Sequence, residues 1–527
     1  MRTVVIGLDA ATWTVLDSLL DQGCLPNIEQ LVTDGISGTL QSTTPPMTPL
    51  AWTTMSTGVN PGRHGIFDFL DQDRSTYDIN PVDYGKMRRP AVWDVLSTEG
   101  HSVGVVNFPL AHPPRAVDPF FISGIPTDVE QTISNSPAIQ ERLEQSDYRV
   151  HPSVNPGDGI EPYIEDVLSV VDCRCELTLD LVQEHDLDLL WTVFMGTDWV
   201  QHYAWQDDIS AESAIGKVYA RIDEFIGELR SVVGDDVNIL LVSDHGAKRI
   251  DGEIHMNSLL EKWGYLNRTE QSAGRPAELI KNSLLSLGWK IGRTVPPDIK
   301  KMLKKLISEG TVDEMENAVG YGQQNMVKSI DWSETDAFSY GYMGRVFLHD
   351  EEAYPSGTLS SAERDEIKDE LTERLLALRH PETGDRLVED VLTKEEVYDG
   401  PSVANAPDLL IVPTDWQYMI YGDFGNEWIN SPSLRIADHD PEGVLIAAGP
   451  DINSGPVNAN IADIAPTILS LHDLPILEGM DGRWLDELIS DSEPPTTVPD
   501  DVYLPEQNDG VADSEMVTER LEDLGYL

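Results

Sequence analysis

The chain opens with MRTVVIGLDAATW (residues 1–13), in which TVVIGL (residues 3–8) is a continuous run rich in apolar and β-branched residues. A run of this length that is closed by Asp9 predicts a strand buried on both faces. The residues from there to about position 33 carry leucines and isoleucines at helical spacing. The opening of the chain therefore predicts a strand followed by a helix.

The same pattern returns along the chain. Apolar runs recur at residues 103–107, 189–194, 238–243, 408–412 and 443–448, with helical segments such as 176–185 and 212–233 between them. Strands that alternate with helices predict an α/β protein, with a mostly parallel central sheet covered by helices on both faces.

Composition divides the chain into three parts. Residues 1–247 and 330–490 carry the alternating pattern and are interpreted as the core. Residues 248–329 are locally basic and are interpreted as a mainly helical insert, either a surface insertion with solvated lysines or a lid that attracts anions. Residues 491–527 are acidic and rich in proline, which predicts an extended arm that ends in a short helix.

Charge excludes several kinds of partner. The 527 residues include 92 acidic and 36 basic side chains, for a formal net charge of −56. Nucleic acid and anionic lipid surfaces would repel such a molecule. Because molar salt shortens the screening length to about 3 Å, the acidic surface is interpreted as adaptation to a salt-rich cytoplasm.

The same composition bears on location. The N-terminal apolar run is too short, and charged too soon, for a secretory signal, and no apolar stretch reaches the roughly 18 residues that span a bilayer. Three cysteines imply no disulfide framework. We therefore expect a cytoplasmic protein without a transmembrane segment, and the oligomeric state stays open.

Acidic and histidine side chains cluster at predicted strand ends. Asp9 follows the first strand, and Asp244 and His245 follow another, so all three should meet in the crevice at the carboxyl edge of the sheet. Asp198 and His202, in GTDWVQH, are four residues apart and would share one helix face. His439 is predicted in a loop just before a strand, where it could supply a third partner.

This set of side chains indicates a metal. Three carboxylates and three imidazoles suit Zn²⁺, with Mn²⁺ as the alternative, better than Mg²⁺ or Ca²⁺, which prefer oxygen ligands. Six ligands are too many for one tetrahedral ion. Two ions about 4 Å apart would form the clamp used for displacement at phosphorus.

Thr48 is the candidate nucleophile, in a loop rich in proline and threonine (residues 43–69) that leads into a helix. It is predicted to stand before that helix, whose N-terminal amides favour an anion. Thr48 could instead merely cap the helix. A nearby divalent cation would allow its hydroxyl to act as an alkoxide.

These motifs together resemble the alkaline phosphatase superfamily, and most closely its type I phosphodiesterase and nucleotide pyrophosphatase branch. The similarity spans most of residues 1–490 and rests on Asp9, the loop from Thr48 to TGVNPGRHGI, GTDWVQH, SDHG, the His439 segment and IADIAPTILSLHDLPILEGMDGRWL. It implies one metal bound by Asp198, His202 and His439. It implies a second metal bound by Asp9, Asp244, His245 and Thr48, with Thr48 forming a phosphoryl enzyme.

One position departs from the family pattern. Nucleotide pyrophosphatases usually have an asparagine three residues after the nucleophile, where it contacts the transferred phosphoryl group, and this chain has Ala51. Loss of that donor puts nucleotide diester hydrolysis in doubt. Possible substitutes, each of which could equally be an ordinary surface or packing residue, are Arg63, His64, Lys248 and Arg345.

Three functions follow as hypotheses. The first is a two-metal phosphohydrolase that acts on a small phosphorylated substrate, a phosphate monoester or diester. The second is a phosphomutase of the same superfamily, in which the basic insert would shield the phosphoryl enzyme from water. The third is a catalytically silent protein that uses the metals to bind an anion.

Overall fold

A computed structural model of the chain describes residues 1–82, 84–87, 89–269, 322–489 and 494–504. Most of the predicted basic insert (residues 270–321) and the predicted terminal helix (within residues 505–527) lie outside the described residues.

The described strands are β1 (Thr3–Leu8), β2 (Ile36–Gln41), β3 (Leu70–Gln72), β4 (Ile79–Pro81), β5 (Val103–Phe108), β6 (Pro119–Ser123), β7 (Leu189–Phe194), β8 (Asn238–Val242), β9 (Gly246–Arg249), β10 (Gly252–His255), β11 (Ala337–Phe338), β12 (Arg345–Leu348), β13 (Val388–Thr393), β14 (Leu409–Pro413), β15 (Tyr418–Tyr421), β16 (Ile429–Asn430), β17 (Ala437–Asp440), β18 (Glu442–Ala448), β19 (Gly455–Asn460), β20 (Ile476–Leu477) and β21 (Thr497–Val498).

The described α-helices are α1 (Trp13–Asp21), α2 (Pro26–Asp34), α3 (Thr48–Thr57), α4 (Pro61–His64), α5 (Val92–Thr98), α6 (Pro137–Glu144), α7 (Ile160–Glu184), α8 (Gly196–Ala204), α9 (Ala214–Val233), α10 (Met256–Trp263), α11 (Gly322–Lys328), α12 (Ser361–Leu376), α13 (Lys394–Val397) and α14 (Ile464–Leu471). Short 3-10 turns occupy Tyr84–Lys86, Pro156–Asp158, Trp332–Glu334, Val403–Asn405, Thr414–Trp416, Ile461–Asp463 and Asp500–Tyr503.

The central sheet has eight strands in the order β19-β2-β18-β8-β1-β7-β5-β6. Its pairings are parallel except those of β18, which runs antiparallel to both β2 and β8. Helices pack in two groups, α2 with α7, α8 and α9, and α3 with α5 and α14. The predicted α/β fold with a mostly parallel sheet is confirmed.

One predicted strand and the described part of the predicted helical insert take places that periodicity could not specify. The run at 408–412 forms β14, which belongs to a separate four-stranded sheet with β11, β12 and β13. The described part of the predicted insert adds β9, β10 and α10, and β10 pairs with β15 and β16 in a three-stranded sheet. These small sheets lie beside the central one, next to the site described below.

Three adjacent parallel strands set up that site. In the order β8-β1-β7, all three point the same way, so their carboxyl ends meet at one edge. The strands are buried along their whole length, as their continuous apolar sequence predicts. No α-helix among the described residues is long and apolar enough to cross a membrane.

Strand β1 and helix α3 pack closely against each other below the carboxyl edge of the sheet. Gly7 in β1 leaves room for the indole of Trp52 from α3, and a Cβ at Gly7 would stand 2.4 Å from Cη2 of that ring. Trp52 is fully buried and also contacts Phe108 edge to face, with ring centroids 5.9 Å apart. This contact places helix α3 against the central sheet.

Gly7→Ala is expected to lower the free energy of unfolding by about 1–3 kcal/mol, because Trp52 cannot move without disturbing a close-packed core. Urea unfolding at molar KCl measures the loss. Thr98→Ala, at the exposed end of α5, serves as the control and should change stability by about 0.5 kcal/mol or less. Equal stability of Gly7→Ala and the unchanged chain would contradict the packing described here.

Candidate metal centre and nucleophile

The first group of candidate ligands lies at the ends of β1 and β8. Asp9 directly follows β1, and Asp244 and His245 follow β8 after one intervening residue, Ser243. One ligand atom from each of the three lies within 4.8 Å of the others, and all three side chains are buried. The structure brings together the three residues that the strand-end pattern placed at one edge.

The second group comes from the next strand along the sheet. Helix α8 follows β7 and carries Asp198 and His202 on one face, with Nε2 of His202 2.9 Å from Oδ1 of Asp198. His439 completes this buried group, whose ligand atoms also lie within 4.8 Å of one another.

His439 is not in a loop, as predicted, but in strand β17. β17 pairs antiparallel with β9, so that His439 stands opposite Ala247. The ring of His439 therefore stacks on that of His245, with centroids 3.7 Å apart. A pairing this short, between segments about 190 residues apart, has no signal in local periodicity. It also makes the two groups direct neighbours.

Each imidazole is oriented by the main chain. The Nδ1–H groups donate to carbonyl oxygens: His202 to Ala437 (2.9 Å), His245 to Gly246 (2.9 Å) and His439 to Pro46 (2.8 Å). This tautomer leaves the Nε2 lone pair directed into the site, the arrangement of metal-binding histidines. Burial lowers the pKa of His439 to about 3 and holds the pKa of His245 well below its usual value, so both rings are neutral.

The carboxylates, like the histidines, have the environment of metal ligands. Burial, reinforced by the neighbouring acids, raises the pKa of Asp9 well above its usual value, and burial does the same for Asp244. Oδ1 of Asp9, Oδ2 of Asp244 and Nε2 of His439 are buried and make no hydrogen bond within the described part of the chain. Buried acceptors without donors are costly unless a cation satisfies them. The ligand atoms of the two groups fit two divalent cations.

Side chains that the sequence did not single out support the first group. The indole Nε1–H of Trp52 donates to Oδ2 of Asp9 at 2.7 Å, and the Thr197 hydroxyl donates to the main-chain oxygen of Asp9 at 2.6 Å. Trp52 lies four residues after Thr48, one turn further along α3. Helical spacing from the predicted nucleophile could have indicated it.

Thr48 is the first residue of α3, rather than the residue before the helix. Met47 is the N-cap, and its side chain makes no capping hydrogen bond. Oγ1 of Thr48 lies 3.3 Å from Nε2 of His245, and the Thr48 side chain is fully buried. Pro49 has no N–H, and the Ala51 amide donates to the Met47 carbonyl oxygen at 2.8 Å. An anion beside Thr48 would therefore meet the amides of Thr48 and Leu50 and the positive end of the helix dipole.

Ala51 is fully buried in the hydrophobic core. Two of its four possible substitutes are also buried and are held by other groups. Arg345 pairs with Asp68. In His64, Nε2 contacts the Thr54 hydroxyl at 3.1 Å, while Nδ1 accepts from the amide of Ile66 at 3.1 Å.

The other two substitutes are engaged near the surface. Arg63 pairs with Asp399 at 2.9 Å and with Asp481 at 3.2 Å. Lys248 pairs with Asp415 at 2.5 Å. In these interactions, none of the four possible substitutes contacts a residue of the two ligand groups. The main-chain amides in the first turn of α3 are therefore the donors that remain beside Thr48.

The α/β fold, with two acid and histidine groups at the carboxyl edge of its sheet, is the one expected of the phosphoric ester hydrolases that the sequence resembles. A family model described as type I phosphodiesterase / nucleotide pyrophosphatase matches residues 3–442. The chain therefore belongs to that family, and the resemblance noted in its sequence is confirmed. None of the curated proteins compared with it matches.

Solved structures support the fold. Phosphonoacetate hydrolase from Sinorhizobium meliloti 1021, in complex with phosphonoformate, is similar at 15% identity and a TM-score of 0.56, over 88% of this chain and 94% of that one. Human ectonucleotide pyrophosphatase / phosphodiesterase 5 is similar at 12% identity and a TM-score of 0.52, over 93% of this chain and 100% of that one. The murine form has 14% identity and a TM-score of 0.51 over the same shares.

Trp52→Phe is expected to weaken metal binding about 10- to 100-fold, because Oδ2 of Asp9 loses the donor that orients it. Competition with a chromogenic chelator measures the affinity. Trp93→Phe is the matched control, since Trp93 is equally buried and its Nε1 makes no hydrogen bond within the described residues. A loss of affinity that is the same in both variants would refute a role for this hydrogen bond.

Proposed function

We propose that this protein is a two-metal phosphohydrolase that cleaves a phosphate monoester or diester through a covalent phosphothreonine at Thr48. The observation that carries the proposal is the coincidence of two three-residue ligand groups with a hydroxyl that no capping interaction uses. Thr48 lies next to His245 in one group, and His439 links that group to the other.

The two groups have distinct parts in this proposal. Asp9, Asp244 and His245 would hold the ion on the side of Thr48, and Asp198, His202 and His439 would hold the other. Zn²⁺ suits three carboxylates and three imidazoles, with Mn²⁺ as the alternative. Such a pair of ions supplies charge stabilisation to the attacking and leaving oxygens.

Residues of the chain position the reacting atoms. The first turn of α3 directs amides and the positive dipole end at the phosphoryl oxygens, on the side where Thr48 stands. The surrounding site is buried, so these interactions act at low dielectric.

The reaction has two balanced steps. Oγ1 of Thr48 forms a bond to phosphorus and loses its proton to solvent, while the bond from phosphorus to the alcohol oxygen breaks and that oxygen takes up a proton. Water then forms a bond to phosphorus, the bond to Oγ1 breaks, and Thr48 regains its proton. The net reaction is the hydrolysis of one phosphate ester bond by one water molecule.

The setting of this chemistry is also a proposal. A net charge of −56 indicates a halophilic, cytoplasmic enzyme whose acidic surface is screened by salt. We further propose that residues 1–247 and 330–490 form the catalytic core, with residues 248–329 as an insert and 491–527 as an arm.

Thr48→Ala is expected to retain close to two equivalents of zinc or manganese and to lose turnover of a chromogenic phosphate ester by at least about 1000-fold, because no other hydroxyl replaces the nucleophile. Metal analysis and steady-state kinetics at molar KCl measure the two quantities. Mass analysis of the unchanged enzyme after quenching should show phosphate on Thr48.

Thr53→Val is the matched control in the same helix, since Oγ1 of Thr53 is buried and makes no hydrogen bond within the described residues. It should keep both metal and activity. Full turnover by Thr48→Ala would remove the nucleophile assignment, and metal binding without turnover by the unchanged enzyme would favour a silent anion-binding protein.

Lowering KCl from about 2 M to about 0.1 M is expected to lower the melting temperature by about 10 °C or more, because the screening length grows from about 2 Å to about 10 Å and the surface acids repel one another. Circular dichroism melts in KCl and NaCl measure the shift. The two salts should act alike at equal ionic strength. A melting temperature that rises on dilution contradicts the interpretation of the charge as salt adaptation.

A further inference from the structure

Residues 435–439, which lead into strand β17, hold two members of the second ligand group. The main-chain amide of Ile436 donates to the main-chain oxygen of His202 at 2.9 Å. The main-chain oxygen of Ala437 accepts from Nδ1 of the same histidine, also at 2.9 Å. His439 is itself in this segment, and its ring stacks on that of His202 with centroids 5.3 Å apart. Both imidazoles of the group therefore depend on the conformation of one short segment.

A buried ion pair closes this segment. Nη1 of Arg435 donates to Oδ2 of Asp438 at 3.2 Å, and the two residues are 5% and 2% exposed. Since an arginine side chain stays protonated in proteins, its burial here depends on the nearby carboxylate. Oδ1 of Asp438 accepts from the main-chain amide of His439 at 2.9 Å. The pair thus joins the first residue of the segment to the last, which is a candidate metal ligand.

Asp438 lies beside the second ligand group without belonging to it. Its Oδ1 is 3.7 Å from Nε2 of His439, the atom directed into the site, yet Asp438 is not among the described residues whose ligand atoms all lie within 4.8 Å of one another. An unrestrained carboxylate at this place could compete for the ion, because zinc also accepts carboxylate oxygens. The Arg435 guanidinium holds one oxygen and the His439 amide holds the other. Arg435 therefore restrains a fourth acid next to the site.

The first ligand group is oriented by other contacts. Asp9 accepts from the indole of Trp52 in helix α3, and Nδ1 of His245 donates to the main-chain oxygen of Gly246. Neither of these hydrogen bonds involves residues 435–439. A change in the ion pair should therefore act mainly on one of the two ions.

We propose that the ion pair of Arg435 with Asp438 positions the ligands of the ion assigned to Asp198, His202 and His439. It fixes the segment that orients both imidazoles, and it holds the Asp438 carboxylate away from that ion. Arg435 and Asp438 are positioning residues, because they act through the histidines. The inference rests on the proposed function, since it concerns one of the two ions proposed there.

Arg435→Met tests the ion pair, because it removes the charge and keeps an unbranched side chain. Metal-free protein is titrated with zinc at molar KCl in competition with a chromogenic chelator. The unchanged chain should bind two ions. Arg435→Met should bind one of them as before and the other about 10- to 100-fold more weakly, as expected when a group that orients metal ligands is lost. Arg435→Lys can still pair with Asp438 and should bind that ion more tightly than Arg435→Met does.

Cobalt spectra identify the weakened ion. His202→Ala removes a ligand of one ion, and Asp244→Ala removes a ligand of the other. With one equivalent of Co²⁺ bound, the visible spectrum of Arg435→Met should match that of His202→Ala, because both variants keep the ion on the side of Thr48. A spectrum that matches Asp244→Ala instead would overturn the proposal.

A double variant separates positioning from stability. Arg435→Met combined with Asp438→Asn leaves no unpaired charge in the interior, so its metal-free form should melt closer to the unchanged chain than Arg435→Met does. It should still bind the same ion about 10- to 100-fold more weakly, because the segment has lost its ion pair. Circular dichroism melts and the chelator titration measure the two quantities.

Lys394→Met is the matched control. Lys394 pairs with Asp408 at 2.8 Å in a similarly buried ion pair, between the end of β13 and the start of β14. Its loss should lower the melting temperature, because it leaves a buried carboxylate without one of its partners. Both zinc ions should bind with unchanged affinity.

The outcomes separate the two proposals. If the unchanged enzyme binds two ions but hydrolyses no phosphate ester, the proposed function fails and the test of the ion pair is unaffected. If esters are hydrolysed through Thr48 but Arg435→Met and the double variant bind both ions as tightly as the unchanged chain, only the ion-pair proposal is overturned. It is likewise overturned if both ions are weakened equally, or if Lys394→Met weakens one of them as much, because those results indicate a general structural effect.

Discussion

The main constraint on this structure is the cost of burying three carboxylates, those of Asp9, Asp198 and Asp244, close to one another. Parallel strands in the order β8-β1-β7 end at one edge and bring these groups together away from water. Burial raises the pKa values of Asp9 and Asp244 well above their usual ones. The fold therefore concentrates negative charge at one place, and divalent cations would offset that cost directly.

The arrangement around these acids follows from the same constraint. The Nδ1–H of each histidine donates a hydrogen bond to a main-chain carbonyl oxygen, so that the Nε2 lone pairs face the acids. The indole N–H of Trp52 donates a hydrogen bond to Asp9. Thr48 then stands where the positive end of helix α3 meets this negative cluster. With the proposed cations bound, the helix end and the cations would offset the acids locally, so that an anionic phosphate ester could approach despite the net charge of −56.

A buried ion pair between Asp68 and Arg345 holds the loop that carries Tyr342. Asp68 and Arg345 are fully enclosed, and Arg345 also holds the carbonyls that flank the ring of Tyr342. Removal of either partner would leave an uncompensated charge in the interior. Gly341 allows this close approach, because its φ is +68° and a Cβ there would stand 2.2 Å from Nη2 of Arg345. The loop that places the ring of Tyr342 against His439 is thus defined by electrostatics as much as by packing.

Local sequence predicted five of the eight strands of the central sheet, namely β1, β5, β7, β8 and β18, and the positions of several candidate ligands. The apolar run of β1 and the residues that end it were sufficient to predict Asp9 at a strand terminus, and spacing placed Asp198 and His202 on one helix face, because both features depend on neighbours along the chain. Tertiary structure alone decided that His439 lies in a strand opposite Ala247, and that Tyr342 stands beside it, since these contacts join segments remote in sequence. Periodicity records which face of an element is buried. It carries no information about which distant element covers that face.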